Sequence, residues 1–128
     1  MVRSKLIAML ITLAATLCIC VGTLYFIRQY TDEAERLCAH AVTQFDAGQT
    51  SDALETLTIL ANTWKNRAGF LETVTSHADL QRVTEQIIDA KISLEQGDAD
   101  GFQRQARLLD YAIRHISDQE RLRLSNLF

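Results

Sequence analysis

The sequence predicts an all-α protein, with an N-terminal transmembrane helix followed by a four-helix, bundle-like domain made of two helical hairpins. Three observations lead there. The 128 residues include no proline and only five glycines, so long helices can run uninterrupted and many-turned β architectures are disfavoured. Residues 6–27 carry no charge. Beyond residue 31, apolar side chains recur with the period of amphipathic helices packed on a common core. Length leaves room for one compact domain and excludes a large multidomain enzyme.

The first element is the apolar stretch Leu6 to Ile27. As a helix its 22 residues reach about 33 Å, enough to cross roughly 30 Å of hydrocarbon. Its polar side chains, Thr12, Thr16 and Thr23, can bond back to the preceding helical turn. Arg3 and Lys5 bracket one end, and Tyr25, Phe26, Arg28 and Tyr30 bracket the other, as side chains at lipid headgroups do. The competing reading is a cleaved signal peptide, whose apolar stretch runs about 7–15 residues and ends in a small-x-small site. This stretch is longer, and the best cleavage candidate, Cys20-Val21-Gly22, is followed by further apolar residues. Neither Cys18 nor Cys20 follows the small residue that a lipoprotein cysteine needs. A retained, single-pass anchor that contacts the lipid bilayer through Leu6 to Ile27 therefore fits better.

Charge agrees with this division. The formal net charge is −3, yet residues 1–28 hold three bases and no acid, leaving ten bases and sixteen acids for residues 29–128. The positive-inside bias places the N-terminus in the cytoplasm and the acidic domain outside the cytoplasmic membrane. Net acidity argues against nucleic acid, or anionic headgroups, as the main partner of that domain. Cysteine use is compatible: Cys18 and Cys20 lie in the anchor, and Cys38, alone in the soluble part, falls on an apolar stripe where a buried thiol is expected.

The soluble part begins at Thr31, a predicted N-cap before Asp32, Glu33 and Glu35, with a stripe of Ala34, Leu37, Cys38, Ala41, Val42 and Phe45. Gly48 stops this helix. Thr50 or Ser51 caps a second, carrying Ala53, Leu54, Leu57, Leu60, Ala61 and Trp64. Asn66 to Thr75, with Val74, either continues that helix or crosses to the next. Ser76, with Asp79 three residues on, opens a third stripe of Leu80, Val83, Ile87, Ala90 and Leu94 that ends at Gly97. Asp98 caps a fourth with Phe102, Ala106, Leu109, Ala112, Ile113 and Ile116. Ser117-Asp118-Gln119-Glu120 then reads as a capping box opening a last short turn. The division is residues 1–28 as anchor and 29–128 as acidic extracytoplasmic domain, with hairpins at about 31–66 and 76–116 and a segment 117–128.

Shifting the chain by 49 positions superposes the hairpins, with Cys38 on Ile87, Ala41 on Ala90, Phe45 on Leu94, Gly48 on Gly97, Leu57 on Ala106 and Trp64 on Ile113. The Gly48 turn is similar to that of a tetratricopeptide-like hairpin, although 49 is no standard solenoid period. Two readings stand: a structural repeat, or the alignment that any two amphipathic hairpins give.

The layout carries a family resemblance. A basic tip, one span and an acidic helical domain are followed by Trp64, His77 thirteen residues on, the Gly97-Asp98 turn, and His115-Ile116-Ser117-Asp118-Gln119-Glu120 before Leu124-Ser125-Asn126-Leu127-Phe128. This resembles the bacterial domain-of-unknown-function family 4363, short proteins found largely in spore-forming Gram-positive bacteria. The resemblance covers nearly the whole chain. It implies a single-pass membrane protein and carries over no catalytic residue.

Enzyme signatures are missing: there is no glycine-rich phosphate loop, G-x-S-x-G elbow, C-x-x-C pair or H-E-x-x-H. Asp98-Ala-Asp100-Gly101 fails as a calcium loop, because Gln103 and Leu109 stand where glycine and glutamate are required. The expectation is no catalytic, cofactor-binding or metal-ligating residue, and an interaction or structural protein of the bacterial envelope with a protein partner. Its candidate partner-binding residues are Trp64, which is otherwise a core residue, and Leu122, Leu124, Leu127 and Phe128, too apolar for a free end. That tail packs back on the bundle or enters a partner. Arg104, Arg107, Arg114, Arg121 and Arg123 make the final quarter locally basic. The alternative is a small membrane-tethered enzyme or metal module using His40, His77 and His115.

Overall fold

With no proline or helix-ending glycine between Met1 and Gly48, the chain forms a single helix, α1 (Val2–Asp46), through both the apolar stretch and the first amphipathic stripe. The computed structural model describes residues 1–73 and 75–127, with the side chains at 123, 124 and 127 not described. Three further helices follow: α2 (Thr50–Leu71), α3 (His77–Glu95) and α4 (Ala99–Leu127). Each helix packs on its neighbour in sequence, and α4 closes the ring against α1, with no close backbone approach across either diagonal among the described residues. Short links make successive helices antiparallel, the arrangement of an up-and-down bundle.

Two predicted boundaries are corrected. Thr31 does not cap a helix; it lies inside α1, fully buried, and its hydroxyl donates backward to the Arg28 carbonyl at 3.1 Å. A threonine that bonds to the preceding turn leaves the helix unbroken. Likewise Ser117 starts no new element, and α4 runs through it to Leu127. α2 continues past Trp64 to Leu71, and residues 72–76 form the crossover, in which Val74 lies outside the described residues. The cap of α2 is Gln49 rather than Thr50 or Ser51. Ser76 occupies the cap of α3 without a side-chain bond. Asp98 does cap α4, its Oδ1 accepting from the Gly101 amide at 3.0 Å.

The stripes read from the sequence form the core. All five predicted residues of α3 and all six of α4 are buried, as are Ala34, Leu37, Cys38 and Ala41 on α1, and Ala53, Leu57, Leu60 and Trp64 on α2. Val42, Phe45, Leu54 and Ala61 pack at its edge. The two glycine turns repeat bond for bond at the 49-residue shift. Gly48 (φ 81) and Gly97 (φ 71) take the left-handed conformation in which a Cβ would be strained. The Gly48 amide bonds Phe45 O and the Gly97 amide bonds Leu94 O, while Gln49 bonds Gln44 O and Asp98 bonds Ser93 O, each at 2.9–3.1 Å. This is the Schellman pattern twice over, so the two turns share one backbone geometry.

The other end of the bundle is built on aromatics. Ile27 and Tyr30, expected at a lipid interface, are each 1% exposed. The Tyr30 ring stacks on Trp64 with centroids 4.9 Å apart, and its hydroxyl donates to Thr63 O at 2.9 Å. Trp64 Nε1 in turn donates to Leu80 O at 3.3 Å, so one indole joins α1, α2 and α3. Trp64→Ala should destabilise the fold by about 3–5 kcal/mol, because it removes a large buried ring and leaves a cavity beside Tyr30. Denaturant unfolding followed by helical circular dichroism checks this; a loss below about 1 kcal/mol would show that the ring is not the packing element described.

Candidate functional site: the α1–α4 groove and the Phe26 end of the bundle

Antiparallel packing sets the register of α4 on α1. Gln103 Nε2 donates to Asp46 Oδ1 at 2.9 Å at the far end, the Cys38 thiol donates to Ala106 O at 3.6 Å in the middle, and Arg114 Nε lies 3.8 Å from Glu35 Oε1 beyond it. Cys38 and Ala106 are small, so the backbones approach closely at that level. Beside this contact, Ala39 and Val42 line an open groove of about 710 Å³ together with Asp32, Glu35, Arg36, Arg107, Asp110 and Arg114. Short side chains among long charged ones leave the trough. Sequence reasoning did not find it, since its two walls lie some seventy positions apart in the chain.

The charged lining is electrostatically coupled. Arg114 Nε is 3.1 Å from Asp110 Oδ2 as well as near Glu35. Burial, and then the Asp110 carboxylate, push the Glu35 carboxyl above its ordinary 4.5; Arg114 pulls it partly back, while Asp32 and Asp118 add to the rise. Burial, with Asp110 and Glu35 nearby, pushes the Cys38 thiol up to about 12. Cys38 is thus a neutral thiol and not a nucleophile.

The predicted site residues do not gather in one place. Trp64, 1% exposed, is withdrawn from the candidate binding surface, because a buried indole with its N–H already bonded offers a partner nothing. Leu122 is 62% exposed on α4. The side chains of Leu124 and Leu127, and Phe128 altogether, lie outside what the structure describes. The three histidines are separate. His77 Nδ1 lies 3.0 Å from Glu72 Oε1 on the exposed α2–α3 side, and His115 Nε2 lies 3.9 Å from Asp79 Oδ1 and stacks on Tyr111. His40 is exposed on α1. Among the described residues no three His, Cys, Asp or Glu side chains are grouped to hold a metal ion.

The model of the domain of unknown function DUF4363 matches residues 21–127, which is the bundle together with the last turns of the apolar stretch. The chain belongs to this family. No curated protein and no solved structure matches it. The DUF4363 match starts at Val21, at the level where α4 meets α1. There Val21, Leu24, Tyr25 and Arg28 face Ser117, Glu120 and Arg121 across a crevice of about 240 Å³.

The raised Glu35 carboxyl has a sign. The folded protein holds this proton to higher pH than the unfolded chain, so the associated stability is fully present below the ordinary value of 4.5 and is lost as pH rises through the folded value. Glu35→Gln should remove that loss and leave the protein a few tenths of a kcal/mol more stable at neutral pH, given the screening of a partly exposed group. Thermal unfolding of both proteins across acid to neutral pH tests it. A variant less stable at neutral pH would show that the Arg114 pair outweighs burial.

Proposed function

We propose that this DUF4363 protein is a single-pass envelope protein, with its N-terminus in the cytoplasm, which holds a helical interaction module at the outer face of the cytoplasmic membrane. The observation that carries the reading is the N-terminal half of α1: it is apolar, long enough to cross a bilayer, and its most apolar window is 0% buried in the fold. Leu6, Ile7, Met9, Leu10, Ile11 and Leu13 have no protein to cover them. In water they would be left exposed at a cost of about 25 cal/mol per Å² of apolar surface, which hydrocarbon removes. Threonine hydroxyls at positions 12 and 16 bond to the carbonyls of Ala8 and Thr12 at 2.9 and 2.8 Å, as a lipid-facing helix requires.

The α1–α4 groove suits a protein partner. Ala39 and Val42 supply apolar lining, and neighbouring side chains of both charge signs set register for a segment carrying complementary charges. The separation of His40, His77 and His115 gives a shared metal site on these three no geometric support among the described residues.

Covalent cross-linking in native membranes, followed by purification and mass spectrometry, tests the module. One reproducible envelope protein should be attached to the wild type and lost from Ala39→Trp, which fills the groove from an exposed position. Retention of that partner by the filled variant would contradict the groove, and self-links alone would contradict the interaction reading.

A further inference from the structure

The bundle and the apolar stretch overlap along α1. Ile27, the last residue of the predicted span, is buried in the bundle, and the crevice against α4 begins at Val21. Roughly 30 Å of hydrocarbon takes about 20 helical residues, which the run from Leu6 to Tyr25 supplies. The boundary between acyl chains and headgroups therefore falls near Tyr25, itself 63% exposed. α4 reaches this level at Arg121 and does not stop there. Six further residues, to Leu127, carry it about 9 Å along α1 toward the N-terminus.

A second element ends at the same level. Phe70, in the last turn of α2, is 51% exposed and lies edge-on to Phe26 with ring centroids 4.8 Å apart. The domain is acidic as a whole, whereas at this end the charges balance. Arg28, Lys65, Arg67, Arg121 and Arg123 lie there with Asp32, Glu33, Glu72, Asp118 and Glu120, and Arg67 is 3.6 Å from Glu33. Exposed apolar groups continuous with the anchor complement the phospholipid interface.

We propose that the end of α4, from Arg121 to Leu127, passes from the phospholipid headgroup level into the acyl boundary beside the anchor, with Arg121 on the headgroup side and Leu122 at the boundary. Phe70 forms the matching contact from α2. The domain thus stands on the membrane on two sides of α1 instead of swinging above it. This rests on the anchor reading given above. It assigns the apolar C-terminal tail to lipid and leaves the groove to a protein partner.

The test uses the full chain, with Cys18, Cys20 and Cys38 changed to alanine, reconstituted in vesicles of phosphatidylglycerol and phosphatidylethanolamine. A single environment-sensitive fluorophore is placed by Leu122→Cys, Phe70→Cys or, at the far turn, Gln49→Cys. Labels at 122 and 70 should be shielded from aqueous iodide several-fold relative to 49, and quenched by lipids carrying a nitroxide near the headgroup. A label at 122 as open to iodide as that at 49 would overturn the proposal, as would one shielded from iodide and from nitroxide lipids alike, which would place it against protein. Extraction by alkaline carbonate separates the two levels. Release of the chain would overturn the anchor reading and this one with it, whereas retention with an iodide-open label at 122 would overturn this one alone.

Discussion

α1 changes environment without changing conformation, and the rest of the molecule is arranged around that fact. Between Leu13 and Ala34 its side chains pass from exposed to the closed core, yet its backbone remains helical throughout. A helix satisfies its own N–H and C=O groups, so it can leave a bilayer and enter a bundle with no backbone group left unpaired at the crossing. The side chains at the crossing are then dictated by what they touch. Tyr30 must place a phenol in the core, so its hydroxyl finds Thr63 O and its ring finds Trp64. Burial raises the phenol pKa well above its ordinary value, although the Arg67 guanidinium, 5.3 Å above the ring, pulls it the other way. Thr31, wholly buried, bonds back into its own helix.

Because α1 is continuous, the height of the bundle is set by residue count and not by a linker. The two Schellman turns close the bundle at the end remote from the apolar half of α1, with Phe45 packed on Phe102 just inside them at 4.7 Å. At the opposite end the α2–α3 crossover is tied to α4 by Thr75, whose hydroxyl donates to Glu120 Oε1 at 3.5 Å. One end is closed by repeated backbone geometry and the other by side chains unique to each hairpin.

The parts legible in the sequence were those with local causes. Apolar periodicity located every helix and nearly all of the core, since a stripe is a property of one segment. Gly48 and Gly97 marked the turns because only glycine adopts that φ without strain. Capping residues misled at Thr31 and Ser117, where good cap chemistry lay inside helices held by tertiary packing; propensity at a helix end is a weak prior against a buried face. Tyr30 and Ile27 were read as lipid-facing because an amphipathic ring beside an apolar run looks the same in sequence whether lipid or protein covers it. Trp64 was read correctly as part of the second helix's core stripe, whereas its stack on Tyr30 and its bond to the Leu80 carbonyl depend on the tertiary fold. The groove had no sequence signal, as it arises from small side chains on helices brought together by the fold.

The distance across the crossing tests the central claim most directly. With nitroxide labels at Ile19→Cys and Thr43→Cys, the native cysteines replaced by alanine and the chain reconstituted in a bilayer, an unbroken helix places the two Cα atoms about 36 Å apart. Pulsed electron spin resonance should then give one narrow distribution near that value. A broad distribution, or a shorter distance from a bend between Arg28 and Thr31, would show that the anchor and the bundle are separate bodies.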